Sequence, residues 1–170
     1  TVNAPTSPPP PPPPPGSAVT FIASNSSWKY LDNGSNQGTG WRATSFSDSV
    51  WASGNAQLGY GDGDEATVVS YGSSSSNKFI TTYFRKAFNV NDASAVSALD
   101  FRLIRDDGAV VYLNGVEVFR SNMPTGTISY TTRASSALGG TAENAWLSGT
   151  LNPALLVTGK NVIAVEIHQD

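Results

Sequence analysis

Any chemistry done by this chain falls to acids, hydroxyls and aromatic rings, because it holds one histidine and no cysteine. With His168 alone, a Ser-His-Asp or Cys-His nucleophile and a histidine-rich metal centre all lack their parts. The best metal candidates are Asp62, Asp64 and Glu65, set in the glycine-rich run Gly59-Tyr60-Gly61-Asp62-Gly63. A flexible turn offering several carboxylates and backbone carbonyls suits Ca²⁺, so these three residues are the expected ligands of a structural calcium ion. Solvated loop acids are the alternative, since the spacing is not that of an EF-hand. Asp106-Asp107 ahead of Gly108 form a second acidic pair, whose ordinary role is a turn in which an Asp side chain bonds the backbone. The glycine-rich run is no nucleotide cradle, because no helix follows to receive a phosphate.

Aromatic residues supply the other candidate chemistry. A sugar ring gains affinity by laying its apolar face on a flat aromatic. Trp41, flanked by Gly40 and Arg42 in a loop, and Tyr60 are the expected platform, with Arg42 as the polar partner and Arg105 and Asn77 as further polar candidates. Trp28 and Trp51 sit in apolar surroundings and read as core, and Trp146 reads as a packing residue. Paired carboxylates for glycoside hydrolysis cannot be dismissed by counting, yet none sits in a recognisable motif.

The elements that must carry these groups are strands. Two apolar, β-branched runs meet at Asn114-Gly115, the dipeptide that most readily takes the two positive φ values of a type I′ hairpin turn. That turn sets Leu113 opposite Val116, Tyr112 opposite Glu117, Val111 opposite Val118 and Val110 opposite Phe119. It places Leu113, Val111, Val116 and Val118 on one core face. Residues 79–90 read as one long strand with Phe84, Phe88 and Val90 on a common face. Residues 99–103 alternate apolar with charged, and 160–168 put Ile163, Val165 and Ile167 inward and Glu166 and His168 outward. Shorter strands are expected at 19–22, 28–31 and 128–132, and the stretch 54–65 has too many glycines for a regular element. Long aromatic-bearing loops fill much of the first half, and they are the expected seat of function.

Composition agrees. Apolar residues make up 39% and charged residues only 14% of 170, the rest being rich in Ser, Thr, Asn and Gly, which suits short strands joined by polar turns. A net charge of −3 with scattered Lys and Arg gives no basic stripe for nucleic acid. No run approaches the roughly 20 apolar residues of a membrane span. Residues 1–16 include eight consecutive prolines, Pro8 to Pro15, expected to form a polyproline II spacer of roughly 25 Å at about 3.1 Å per residue. The reading is therefore a linker over 1–16 and an all-β antiparallel sandwich over 17–170. The lack of cysteine together with abundant Ser, Thr and Asn fits a secreted or cell-surface bacterial protein.

Within the second half, Tyr83-Phe84-Arg85-Lys86-Ala87-Phe88-Asn89-Val90, then Leu99-Asp100-Phe101, then Asp106-Asp107-Gly108-Ala109-Val110-Val111-Tyr112-Leu113-Asn114-Gly115, then Gly159-Lys160-Asn161-Val162-Ile163-Ala164-Val165 resembles galactose-binding-like jelly rolls. The sugar-binding domain of family 2 glycoside hydrolases is similar, as are modules attached to exported bacterial enzymes and surface proteins. The resemblance, over about 140 residues, implies a non-catalytic carbohydrate-binding accessory module whose partners are a polysaccharide or glycan and an attached enzyme domain. It also implies a further strand past the His168-Gln169 position, so that the sandwich ends one strand short at Asp170, with an open edge after Ile167. The alternative is a structural or adhesive subunit of an extracellular assembly that self-associates through the proline tract and that edge.

Overall fold

A computed structural model describes residues 18–170. The polyproline II spacer and the domain start at residue 17 lie outside them. The described chain forms ten strands: β1 Ser27–Leu31, β2 Ala52–Asn55, β3 Leu58–Gly59, β4 Thr67–Val68, β5 Thr81–Val90, β6 Leu99–Leu103, β7 Gly108–Leu113, β8 Val116–Ser121, β9 Leu147–Leu151 and β10 Gly159–His168. Six of them make one antiparallel sheet in the order β2-β1-β5-β10-β7-β8. The antiparallel pair β6-β9 and the short parallel pair β3-β4 form the opposing layer. Among the described residues the only helical segments are three-residue 3₁₀ turns.

The Asn114-Gly115 turn is as the dipeptide dictates, with φ of 52° and 88°. Its register holds for Leu113 with Val116 and Tyr112 with Glu117. A bulge between Val111 and Tyr112 then shifts it, so Val111 faces Phe119 and Val110 faces Arg120. Val116 is half exposed beside the turn instead of joining the core face. Asn114 also does more than turn the chain. Its side-chain amide donates to Leu155 O and Asn161 Oδ1, and its Oδ1 accepts from Val162 N, which ties the hairpin to the start of β10.

One face of the six-stranded sheet meets the opposing layer as a sandwich should. Phe84, Val111 and Val165 pack with Val69, Leu58 and Leu103, and Val90 and Leu113 pack with Leu156, Phe88 and Leu99. The other face departs from expectation. Glu166 and His168, read as outward, are 1% and 0% exposed, because the loops over residues 32–51 and 122–135 fold across that face. Strands β7 and β10 are therefore covered on both sides. β10 also pairs with β5 and β7, so Ile167 lies in an interior strand and the free edges of this sheet are β2 and β8. Residues 19–22 and 128–132 are irregular; Ile128 is buried as a loop anchor beneath that covering layer. Gly54 and Gly59, in the stretch expected to be irregular, belong to β2 and β3.

Arg85 fastens the covering loop. Its side chain is 1% exposed, and its Nε donates to Asp48 Oδ2 at 2.9 Å. The two Nη atoms donate to the carbonyls of Trp41, Ala43 and Phe46. A planar five-donor fork can satisfy four groups diverging from one tight loop; an ammonium cannot. Arg85→Ala is expected to cost about 3 kcal/mol or more, lowering the melting temperature by roughly 6–12 °C, with Arg85→Lys between it and wild type. Thermal unfolding followed by circular dichroism checks this; an unchanged melting temperature in Arg85→Ala would show that the loop holds itself.

Candidate functional site

The expected aromatic platform does not assemble. Trp41 sits in a 3₁₀ turn, 0% exposed, with its ring 4.8 Å from Tyr83 and 5.8 Å from Tyr112, so it offers no face to a ligand. Its burial follows from Arg85, which holds the carbonyl of Trp41 against the sheet. Arg42 is likewise committed inward. Its Nη2 lies 3.1 Å from Glu166 Oε1 and its guanidinium carbon 4.1 Å from the centre of the Tyr112 ring. Tyr60 packs on the opposite face of the sheet, in the cluster with Phe84 and Val111. Tyr60 lines a hollow at the end of the sandwich.

The acids of the glycine-rich loop are also dispersed. Asp62 and Asp64 are exposed, and both oxygens of Glu65 turn inward to accept from the amides of Asp62 and Gly63 at 3.0 Å each. Backbone hydrogen bonds from its own residue and from Asp62 and Gly63 hold the Glu65 carboxyl below its usual range. Gly61 and Gly63, at φ of 114° and 79°, wrap the chain so that its amides converge on that carboxylate. Among the described residues no three His, Asp or Glu side chains gather as a metal site. The loop is closed by Glu65 itself.

What the fold does build is a cleft at the end of the sandwich, beside the β6–β7 connection. An inner hollow of about 90 Å³, with Tyr60, Ile104, Arg105 and Gln57 in its wall, adjoins an outer one of about 330 Å³ bordered by Asn77, Lys78 and Arg133; Asp106, Glu143 and Gln169 line both. Tyr60 is set by Tyr71, whose ring is 5.1 Å away edge-on, and by Lys78, whose Nζ lies 4.9 Å from the ring centre. Burial first, then the charges of Asp106 and Asp107 and the neighbouring Tyr71, push the Tyr60 hydroxyl up to about 12, so it stays a neutral donor.

Asp107 is the frame of this cleft. It is 8% exposed; its Oδ1 accepts from Leu138 N at 2.6 Å and its Oδ2 from Asp170 N at 2.9 Å, while its carbonyl accepts from Asn122. The pair does bond backbone, as a turn would, but it reaches distant strands of chain. Gly108 must be glycine for this approach, since a Cβ there would lie 2.4 Å from Met123 Sδ and 2.9 Å from Asn122 O. Asp106 is left facing the cleft with Oδ1 buried and unpartnered among the described residues. Burial first, then a hydrogen bond with Asp107 and the charges of Asp107 and Glu143, raise its carboxyl to about 6 against the pull of Lys78.

Under the opposite face, Glu166 joins the sheet to its covering loops. Burial would raise its carboxyl, but hydrogen bonds from His168 and Tyr112 and the charges of His168 and Arg42 outweigh it and hold the group below its usual range. Tyr112 donates to Glu166 Oε1 at 2.6 Å, and His168 Nε2 lies 3.4 Å from Oε2. His168 Nδ1 meets Thr132 O at 2.7 Å and Thr81 Oγ1 at 3.0 Å. These contacts fix the C-terminal end of β10, from which Gln169 and Asp170 enter the cleft.

Sequence reasoning named Tyr60, Arg105 and Asn77 and noticed Asp106, but missed Lys78, Arg133 and Glu143. Lys78 comes from the β4–β5 connection and Arg133 and Glu143, ten residues apart, from the β8–β9 connection, with no local spacing to join them.

The same fold occurs in solved glycoside hydrolases. A β-glucuronidase from glycoside hydrolase family 2 matches with a TM-score of 0.56 at 20% identity, over 86% of this chain and 14% of that one. A Bacteroides uniformis β-glucuronidase matches at 0.54 and 20%, over 85% of this chain and 14% of its own. A β-glycosidase from Bacteroides vulgatus matches at 0.52 and 21%, over 85% of this chain and 16% of its own. The chain thus spans about one seventh of the length of such proteins, and the likeness is one of fold. No protein-family model and no curated protein matches the chain.

The cleft makes a direct expectation. The Asp106 side-chain carboxyl, followed by carbon-detected NMR, titrates with a midpoint near 6. In Glu143→Gln the midpoint falls, because one of the charges raising it is gone. A wild-type midpoint in the ordinary range near 4 would show that Asp106 is solvated.

Proposed function

We propose that this domain is a non-catalytic carbohydrate-binding accessory module of an exported protein, tethered by its proline-rich segment to the domain it serves. The observation that carries this reading is the end cleft. Its outer hollow of about 330 Å³ matches the lower end of small-molecule sites, about 300–1,000 Å³. Its wall is polar where most such sites are apolar. Lys78, Arg133 and Asn77 offer donors and Glu143 an acceptor, while Asp106 switches from donor to acceptor near pH 6. A ligand matched to that wall carries hydroxyls in several directions, as a sugar does, and Tyr60 sets an aromatic body beside them.

The fold supports the reading, because the solved proteins that share it are named as enzymes acting on glycosides and contain it as a small fraction of their length. The same proportion supports an accessory role. With one histidine and no cysteine, the domain lacks the parts of a Ser-His-Asp or Cys-His centre.

Affinity gels containing soluble polysaccharides, together with a glycan array, test the proposal. At least one glycan is expected to retard or bind the domain, and Lys78→Ala and Glu143→Ala to weaken binding about tenfold each, the loss of one or two polar contacts. Lys78 is exposed and Glu143 partly so, so both variants should melt close to wild type. Chelation by EDTA is expected to leave retention unchanged, since Glu65 closes its own loop; a loss would assign Asp62, Asp64 and Glu65 to calcium in the working module. Failure to bind any glycan would overturn the reading.

A further inference from the structure

Trp146 is the most exposed tryptophan of the domain, half open at 50% where Trp41 and Trp51 are at 0% and 4%. Nothing in the fold requires it there. The inner face of the β6-β9 pair is already filled by Leu99, Phe101, Leu103, Leu147 and Leu151, with the Phe101 ring 4.8 Å from that of Phe119 and edge-on to it. Trp146 directly precedes β9, and its ring meets Arg102, which projects from the outer face of β6.

Its neighbours on that face are hydrogen-bonding groups. Arg102 and Asp100 of β6 pair with Ser148 and Thr150 of β9, and all four are exposed. Thr150 Oγ1 donates to Asp100 Oδ1 at 2.9 Å, and the Arg102 guanidinium carbon sits 4.9 Å from the Trp146 ring centre, which holds the indole in place. The pairing of β6 with β9 ends at Leu103 and Leu147; Ile104, the residue after Leu103, lines the end cleft, and so does Glu143, three residues before Trp146. Trp146 thus lies within three residues of the cleft's lining along its own chain.

We infer that the outer face of β6-β9 is a second carbohydrate subsite, on which a glycan chain leaving the cleft lays one sugar ring against Trp146 while Arg102 and Ser148 meet its hydroxyls. The inference rests on the glycan reading of the cleft. The occupant is a sugar and not a protein because the apolar area on offer is a single indole, roughly 100 Å², encircled by charges and hydroxyls. A stable protein interface needs about 800 Å² from each partner.

The test uses affinity gels cast with xylan, laminarin, mixed-linkage β-glucan, galactomannan or polygalacturonate, run with wild type, Trp146→Ala and Trp146→Phe. Wild type is expected to be retarded by at least one of these, with an apparent Kd about tenfold weaker in Trp146→Ala and intermediate in Trp146→Phe. That same polysaccharide is expected to shield tryptophan fluorescence from iodide in wild type and not in Trp146→Ala. Equal retardation of wild type and Trp146→Ala, with no shielding, would overturn the subsite and leave the cleft reading standing. Lack of retardation of wild type in all five gels would overturn both. Because the side chain lies on an outer face, Trp146→Ala should retain the wild-type circular dichroism and melting temperature.

Discussion

Arg85 is the interaction on which the rest of this structure depends. It stands on the middle of β5, next to the central strand β10, and points away from the sandwich interior into what would otherwise be a solvent face. A buried guanidinium is tolerated only when its charge and all its donors are met. Here Asp48 and three carbonyls of one loop meet them. The loop cannot leave without stranding that charge, and Arg85 cannot be buried without the loop. This mutual requirement brings Trp41, Phe46 and Trp51 onto Tyr83 and Tyr112 and gives a six-stranded sheet a second core.

That second core explains why the hydrophobic pattern of β10 was only half legible. Period-two alternation separates two faces; it names neither as solvent. Ile163, Val165 and Ile167 do face the sandwich, yet Glu166 and His168 are more deeply buried than Ile163 and Ile167. The partners that make this burial tolerable, Arg42, Thr81 and the carbonyl of Thr132, lie 36 to 124 residues away or in loops without periodicity. The hairpin, by contrast, is a local device. Asn114-Gly115 announced itself, and only the bulge at Val111/Tyr112, which no turn rule specifies, displaced its register.

The same division runs through the candidate site. Composition and strand spacing showed an all-β sandwich, and the glycine-rich run showed an acidic loop. Whether that loop gathers a metal or folds on itself depends on where amides point, and Gly61 and Gly63 point them at Glu65. Trp41 looked like an exposed platform because its neighbours are glycine and arginine; the arginine that decided its fate was Arg85, 44 residues away. Trp146 was the reverse case. Its surroundings suggested packing, but the strand it precedes had already filled its inner face.

The two carboxylates that matter most have opposite effects on stability in acid. Glu166, with its carboxyl held below the usual range, stabilises the fold above that range, and this contribution is lost as pH falls through its folded-state value. Asp106, raised to about 6, binds its proton more tightly in the folded state. It therefore favours the fold below the ordinary carboxylate range, and that preference is lost as pH rises towards 6. At neutral pH the underside of the sheet is stabilised by its acid, while the cleft keeps one at a cost, discounted because Asp106 is only half-buried, of about 1–2 kcal/mol. Asp106 thus stands beside Glu143 and Lys78, framed by the amides that grip Asp107, with a charge that weakens the fold at neutral pH where that of Glu166 strengthens it.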